Sequence, residues 1–311
     1  MFLYIFFFFF LLLLGDSGII HGMNQSDARY VITSEDLLPK LSKLSPKLTH
    51  VQNVVYIPGR SKTIETTRES IEILQKKGIT VNSFEEIESI GSKIEMKFGS
   101  SDPENTAVIM YTSGTTGEPK GVLISHKQLI SGIKTIMHID EEIKNLAFGK
   151  QYAAFLPLSH LFGFLINIAG FCSHSKIAFC SPMTLLDSSP AHVEGQMGDL
   201  KLIQPEFFIA VPLLCEKIIS EVYRKLASTT PSIIPTFTYL MDYKIRWTAR
   251  GFKTPILDRL VCNKIAQQFG GKLKLIAVSS APLSVRTHAL VQAALNIKVV
   301  NGMNNYLLFI Y

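Results

Sequence analysis

The sequence has no CxxC pair. Cys172, Cys180, Cys215 and Cys262 are scattered, and no histidine stands at metal-ligand spacing from any of them. This excludes a zinc ribbon or a disulfide framework, and settings such as GFCSH and LLCEK predict reduced thiols in or near a core. Such cysteines fit a reducing compartment, with the functional face toward the cytosol. Dense lysine and arginine runs are also missing. The net charge of +6 over 311 residues is a mild, dispersed excess. It argues against nucleic acid as a partner and leaves anionic small molecules or membrane headgroups. Charged residues make up only 18% of the chain against 47% hydrophobic, which excludes extensive disorder and supports a sizeable core. No apolar run reaches the ~20 residues that span a bilayer. The longest, Phe2 to Leu14, lacks the basic residues that precede a signal peptide's apolar stretch, although Gly15 and Ser17 mimic a cleavage site. Two readings of residues 1–20 stay open: a membrane anchor or uncleaved signal, or the translation of a polypyrimidine tract ahead of a splice acceptor.

What is present, from Asn24 on, is an alternation of strand and helix patterns. Tyr30 to Thr33 and His50 to Ile57 read as strands flanking a helix from Glu35 to Leu44 with Ser34 as its N-cap, and Thr66 to Lys77 as a helix ended by Gly78. Gly99 to Asn105 reads as a loop, Ala107 to Tyr111 as a strand, Val122 to Ile124 as extended, and Ser125-His126 as the start of a helix to Met137. Further strands are expected over Gln151 to Leu158, Lys176 to Phe179, Phe207 to Val211, Leu273 to Val278 and Ile297 to Val300. Helices are expected over Leu161 to Cys172, Leu213 to Leu226 behind Pro212, and Ser284 to Leu295. The alternation predicts an α/β fold of doubly wound sheets, whose ligands gather at the carboxyl ends of the strands. Thr112 and Ser279 are expected there.

The densest chemistry lies in Tyr111 to Gly121, YTSGTTGEPKG. Glycines let backbone N–H groups approach an anion, hydroxyls donate to it, and a lysine offsets its charge. Gly114, Gly117 and Gly121 supply the first, Thr112, Ser113, Thr115 and Thr116 the second, and Lys120 the third, while Glu118-Pro119 stiffens the turn. The order fits neither G-x-x-x-x-G-K-[ST] nor G-x-G-x-x-G.

YTSGTTGEPKG with the preceding AVIM resembles the phosphate loop of the AMP-forming, adenylate-forming enzymes, a family of acyl-CoA synthetases, aryl-CoA ligases, luciferases and peptide-synthetase adenylation domains. LPLSHLFGF resembles the segment that lines the acyl pocket there, PEFFIAVPLLCEKI a strand-to-helix passage of the long-chain branch, and GGKLKLIAVSSAPLS the turn that packs on adenine. From Asn24 to about Val300 the succession is most similar to animal long-chain fatty acyl-CoA synthetases. The resemblance implies a partial copy of the N-terminal AMP-binding domain, made of partial doubly wound sheets. It also implies a two-step reaction: a fatty acid carboxylate attacks the α-phosphorus of ATP, then coenzyme A displaces AMP, giving acyl-CoA, AMP and pyrophosphate. ATP, Mg2+ and coenzyme A are the implied cofactors and co-substrates. The implied phosphate contacts are Thr112, Ser113, Gly114, Thr115, Thr116, Gly117 and Lys120, with Thr116 also on Mg2+. His160 stands near the acyl carboxylate or chain, with a satisfied core histidine as the other reading, and Ala281 and Pro282 back the adenine. The implied partners are the fatty acid, ATP, coenzyme A and a membrane surface. The implied location is a cytosol-facing membrane, of the endoplasmic reticulum or the mitochondrial outer membrane.

Departures from the pattern shape the expectation. Ser279-Ser280 replace the two glycines of GGAPLS, which predicts weaker nucleotide binding. Residues 21–302 follow the family and 303–311 do not. The family's Mg2+-binding Glu, ribose-binding Asp and C-terminal Lys have no counterpart, so no catalytic residue is assigned. Phe/Leu-rich residues at one margin and A/T-rich codons at the other predict intron translated at both. The second function reading is therefore a non-catalytic nucleotide- or acyl-binding fragment or pseudoenzyme; within the first, aryl or short-chain acids are the alternative substrates.

Overall fold

The computed structural model describes residues 15–59, 64–95, 99–112, 118–229, 232–279 and 281–301. The apolar run up to Leu14 and the tail from 303 on lie outside them. The chain divides into two compact units, Met1–Leu129 and Ile130–Tyr311.

In the first unit, β1 (Tyr30–Ser34), β2 (Asn53–Ile57) and β3 (Thr80–Ser83) form a parallel sheet in that order. The helices Gly15–Gln25, Leu38–Leu44 and Ile64–Lys76 bury Ile19, Leu38 and Leu74 with Val54 of β2 in one core. Ser34 has the extended backbone of an N-cap but makes no capping bond. Glu35 beside it accepts instead from Gly59 N–H and the Thr67 hydroxyl. Ser83 opens the helix Phe84–Gly91 with a capping box, its hydroxyl accepting from Glu86 N–H while the Glu86 carboxylate accepts from Ser83 N–H.

The same unit holds a hairpin of β4 (Thr106–Thr112) and β5 (Lys120–Ser125), paired antiparallel from Val108↔Ile124 to Thr112↔Lys120. Thr112 does stand at the carboxyl end of a strand, as expected. That strand pairs antiparallel with β5 and belongs to neither parallel sheet among the described residues.

The second unit is built on five parallel strands: β6 (Gln151–Ala154), β7 (Lys176–Phe179), β8 (Phe207–Ala210), β9 (Leu275–Val278) and β10 (Lys298–Asn301), in the order β7-β6-β8-β9-β10. The interior strands are almost wholly buried, which is why they read as unbroken apolar runs such as FFIA and LIAV. Tyr152, Phe208 and Ile276 are among the fully buried side chains. β6 is shorter than the expected Gln151 to Leu158, because Pro157 supplies no ladder N–H and the chain turns there, His160 N–H donating to Pro157 O. Of the cysteines, Cys215 and Cys262 are buried as expected, whereas Cys172 is exposed at the end of its helix Leu161–Cys172. Burial pushes the Cys215 thiol up to about 11.

The helices Pro212–Thr229, Ile233–Ala249 and Val285–Leu295 pack together beside this sheet. An ion pair ties them to the π-helical turn Asp258–Cys262: Lys244, 3% exposed, places its Nζ 2.5 Å from Asp258 Oδ1, 2.9 Å from Asn296 Oδ1 and 3.4 Å from Cys262 Sγ.

Candidate functional site

The five-stranded sheet counts 2-1-3-4-5 from β6, so its topological switch lies between β6 and β8. In sheets of this kind ligands bind in the crevice beyond the carboxyl ends at that point. Beyond β6 run Phe155 to His160, beyond β8 Val211-Pro212, and beyond β9 the turn Ser279 to Ser284. His160 and the Ala281-Pro282 turn therefore both follow the carboxyl ends of strands of one sheet.

His160 caps the helix Leu161–Cys172, its Nδ1 accepting from Phe162 N–H at 3.3 Å. That bond requires an unprotonated Nδ1, leaving Nε2–H as the donor. Part of the ring is exposed, and burial of the rest holds its pKa below the usual histidine range. The satisfied-histidine reading and the site reading thus describe different nitrogens of one ring. In the same helix Asn167 is buried, donates to Gly163 O at 2.7 Å and has an Oδ1 without a hydrogen-bond partner among the described residues. An asparagine inside an otherwise apolar helix was its signal in the sequence.

In the turn after β9, Ser279 is 2% exposed; its N–H donates to Ala210 O at 2.9 Å, and its hydroxyl has no hydrogen-bond partner among the described residues. Ser280 lies outside the described residues. Ala281 is half-buried and Pro282 exposed, while Leu283 is buried. Ser284 then caps the helix Val285–Leu295, accepting from Thr287 N–H at 3.1 Å.

The hairpin of the first unit carries the phosphate-loop sequence. Ser113, Gly114, Thr115, Thr116 and Gly117 lie outside the described residues. Their flanks are described: Thr112 and Lys120 are cross-strand partners, so the hydroxyl- and glycine-rich SGTTGEP is the hairpin's connection. Lys120 is exposed and makes no ion pair among the described residues. Tyr111 is buried one residue before Thr112; its hydroxyl lies 2.9 Å from Gln25 Oε1 and donates to Gly22 O at 3.1 Å, and burial raises its pKa. Its partner across the hairpin is Gly121, where a Cβ would lie 3.1 Å from the Tyr111 ring. The absence of a side chain at Gly121 is therefore explained by packing.

Among the described residues no group of three or more His, Cys, Asp or Glu side chains is placed to hold a metal ion. Among them, too, no helix is long and apolar enough to cross a membrane.

Comparison with known proteins agrees with this fold. The AMP-binding enzyme family model matches residues 12–305. Long chain acyl-CoA synthetase 8 of Arabidopsis thaliana is 30% identical over 277 residues, covering 87% of this chain and 38% of the relative. Long-chain-fatty-acid–CoA ligase 1 of Homo sapiens is 26% identical over 298 residues, covering 93% and 40%. The chain thus spans about two-fifths of the length of these curated relatives. The A-PCP didomain of carboxylic acid reductase from Segniliparus rugosus, solved with AMP, superposes with a TM-score of 0.65 at 17% identity, covering 91% of this chain and 37% of that one. The adenylation domain of a carboxylate reductase from Mycobacterium chelonae gives 0.64, also at 17% identity, with 94% and 42% covered. These solved structures share the mixed α/β fold. The chain belongs to the AMP-binding enzyme family.

Proposed function

We propose that this chain serves AMP-forming ligation of a long-chain fatty acid to coenzyme A. The observation that carries the reading is the hairpin: its cross-strand partners Thr112 and Lys120 bracket a connection made of the donors a triphosphate needs. On this reading Ser113 to Gly117 surround the β- and γ-phosphates with N–H and O–H groups, and the Lys120 ammonium offsets their charge. Thr116 would hold Mg2+ together with the phosphate oxygens, and the ion would supply further charge neutralisation. Ala281 and Pro282 back the adenine, and His160 donates from Nε2 toward the acid.

A carboxylate is a weak nucleophile. The contribution of these residues is position and preorganised charge at the α-phosphorus, where the carboxylate oxygen bonds as pyrophosphate leaves. The coenzyme A thiol then attacks the acyl carbon and expels AMP. Long-chain acids partition into bilayers, so we extend the proposal to a membrane partner on the cytosolic side, of the endoplasmic reticulum or the mitochondrial outer membrane.

ATP–pyrophosphate exchange tests the ligase reading, with palmitate set against benzoate and butyrate. Exchange that depends on palmitate supports it, and exchange driven only by the other acids moves the substrate class. The second reading, non-catalytic nucleotide or acyl binding, is favoured by Ser279, a buried hydroxyl where the family pattern has glycine. AMP binding by calorimetry with no exchange under any acid would establish it.

A further inference from the structure

The helix Ile233–Ala249 and the loop after it present an aromatic surface that the nucleotide site does not use. The inner face of the helix is buried through Phe237, Met241 and Lys244. Its outer face carries Tyr239, Tyr243 and Trp247 at a spacing of four residues, which places them in one stripe. Tyr239 is 64% exposed. The helix ends at Arg250 with Gly251 at φ +85°, Phe252 N–H donating to Trp247 O and Gly251 N–H to Thr248 O. This end folds Phe252 back onto the stripe, its ring 5.1 Å from Trp247, which in turn lies 5.6 Å from Tyr243. Phe252 remains 55% exposed.

Three basic side chains interleave with these rings in sequence. Arg246, Arg250 and Lys253 are all exposed, and none forms an ion pair among the described residues. Residues 233–264 hold six basic and two acidic side chains, a net +4, which is two-thirds of the chain's total charge of +6. Lys244 and Asp258 cancel in their ion pair, leaving Asp242 as the remaining acid. Exposed Tyr and Phe around the half-buried Trp247 suit the interfacial layer of a bilayer, with one end apolar and the other wet, and arginine and lysine beside them suit lipid phosphates. Nucleic acid would call for a larger basic area.

We infer that the Tyr239–Tyr243–Trp247–Phe252 surface docks on an anionic bilayer, with Arg246, Arg250 and Lys253 on the headgroups. The inference rests on the membrane part of the proposal and not on ligation. A chain that binds vesicles without exchanging pyrophosphate loses only the ligase reading, and one that exchanges without binding vesicles loses only this inference.

Trp247 is the sole tryptophan of the chain, so its fluorescence reports on this surface alone. The 311-residue chain is titrated with phosphatidylcholine vesicles with and without phosphatidylserine, following emission and co-sedimentation. The expected result is a blue shift and binding with phosphatidylserine and little with phosphatidylcholine alone. Replacing Arg246, Arg250 and Lys253 by glutamine should weaken binding by about fivefold per side chain. Tyr239→Ser with Tyr243→Ser, a separate variant, should reduce both the shift and the bound fraction. No shift with phosphatidylserine overturns the inference, and so does equal binding to both vesicles. A shift that follows protein concentration without lipid assigns the surface to a second copy of the chain and overturns it as well.

Discussion

Tyr111 and Gly121 face one another across the hairpin that carries the phosphate-loop sequence, and the tyrosine ring occupies the space a side chain at Gly121 would need. A methyl there also meets Ile109 Cγ2 at 3.1 Å. Gly121→Ala should therefore destabilise the first unit by ~1–3 kcal/mol through overpacking. Tyr111→Phe, which keeps the ring and loses the bond to Gly22 O, should cost about 0.5–1.5 kcal/mol. Urea denaturation measures both, and an unchanged midpoint for Gly121→Ala would refute the packing account.

Lys120 is exposed and unpaired among the described residues, so its removal should leave the fold intact. If its charge serves the nucleotide, Lys120→Met should lower exchange by ~10²–10³ with an unchanged melting temperature. A loss of both together would reassign Lys120 to the hairpin.

Protonation of His160 opposes its own cap. Burial lowers its folded pKa, while the unfolded chain takes up the proton near pH 6.5. Between the two values the unfolded state holds more protons, so stability rises with pH. The contribution is complete above about pH 6.5 and is lost as pH falls through that window. His160→Asn keeps a capping side chain without the titration. The slope of melting temperature between roughly pH 5 and 7 should then become shallower; an identical slope counts against the assignment.

Breaking the Lys244 pair leaves Asp258, Thr254 and Asn296 facing a buried gap. Lys244→Met alone should cost about 3–5 kcal/mol, and Lys244→Met with Asp258→Asn should recover a substantial part. Chemical denaturation of the two variants decides; a double variant as unstable as the single one would show that the charge imbalance is not the cause.

Ser279 keeps a buried hydroxyl without a partner among the described residues. Ser279→Ala should raise stability without nucleotide by ~1 kcal/mol. Ser279→Gly should tighten AMP binding by giving the turn the family's residue. Calorimetry reads the affinity, and a weaker Gly variant would mean that the hydroxyl itself binds the ligand.

Much of the second unit was legible because parallel strands buried on both faces must be apolar throughout, as FFIA and LIAV are. Pro212 and Ser284 then marked helix starts by local chemistry alone. The helix Ile233–Ala249 was not foreseen, since apolar side chains occupy both its buried and its outer face and blur the periodic signal. The capping box of Ser83 and Glu86 is a local signal, carried by the S-x-x-E spacing alone. The antiparallel partnership of β4 and β5 was hidden because two extended segments in sequence do not say which strand each one joins. At the site, the flanks of the loop and the turn after β9 followed from residue type and order. Ser279's missing partner and the burial of Lys244 are tertiary facts, set by neighbours distant in sequence.

The pairing of Thr112 with Lys120 has a thermodynamic consequence for a ligand. The ladder fixes the ends of the SGTTGEP connection about 5 Å apart, as opposed strand residues are. For a free segment of seven residues, bringing the ends together costs roughly (3/2)RT ln 7, or ~2 kcal/mol. Folding of the hairpin has already met that closure entropy, so under the proposed function a triphosphate bound between Thr112 and Lys120 would not have to supply it.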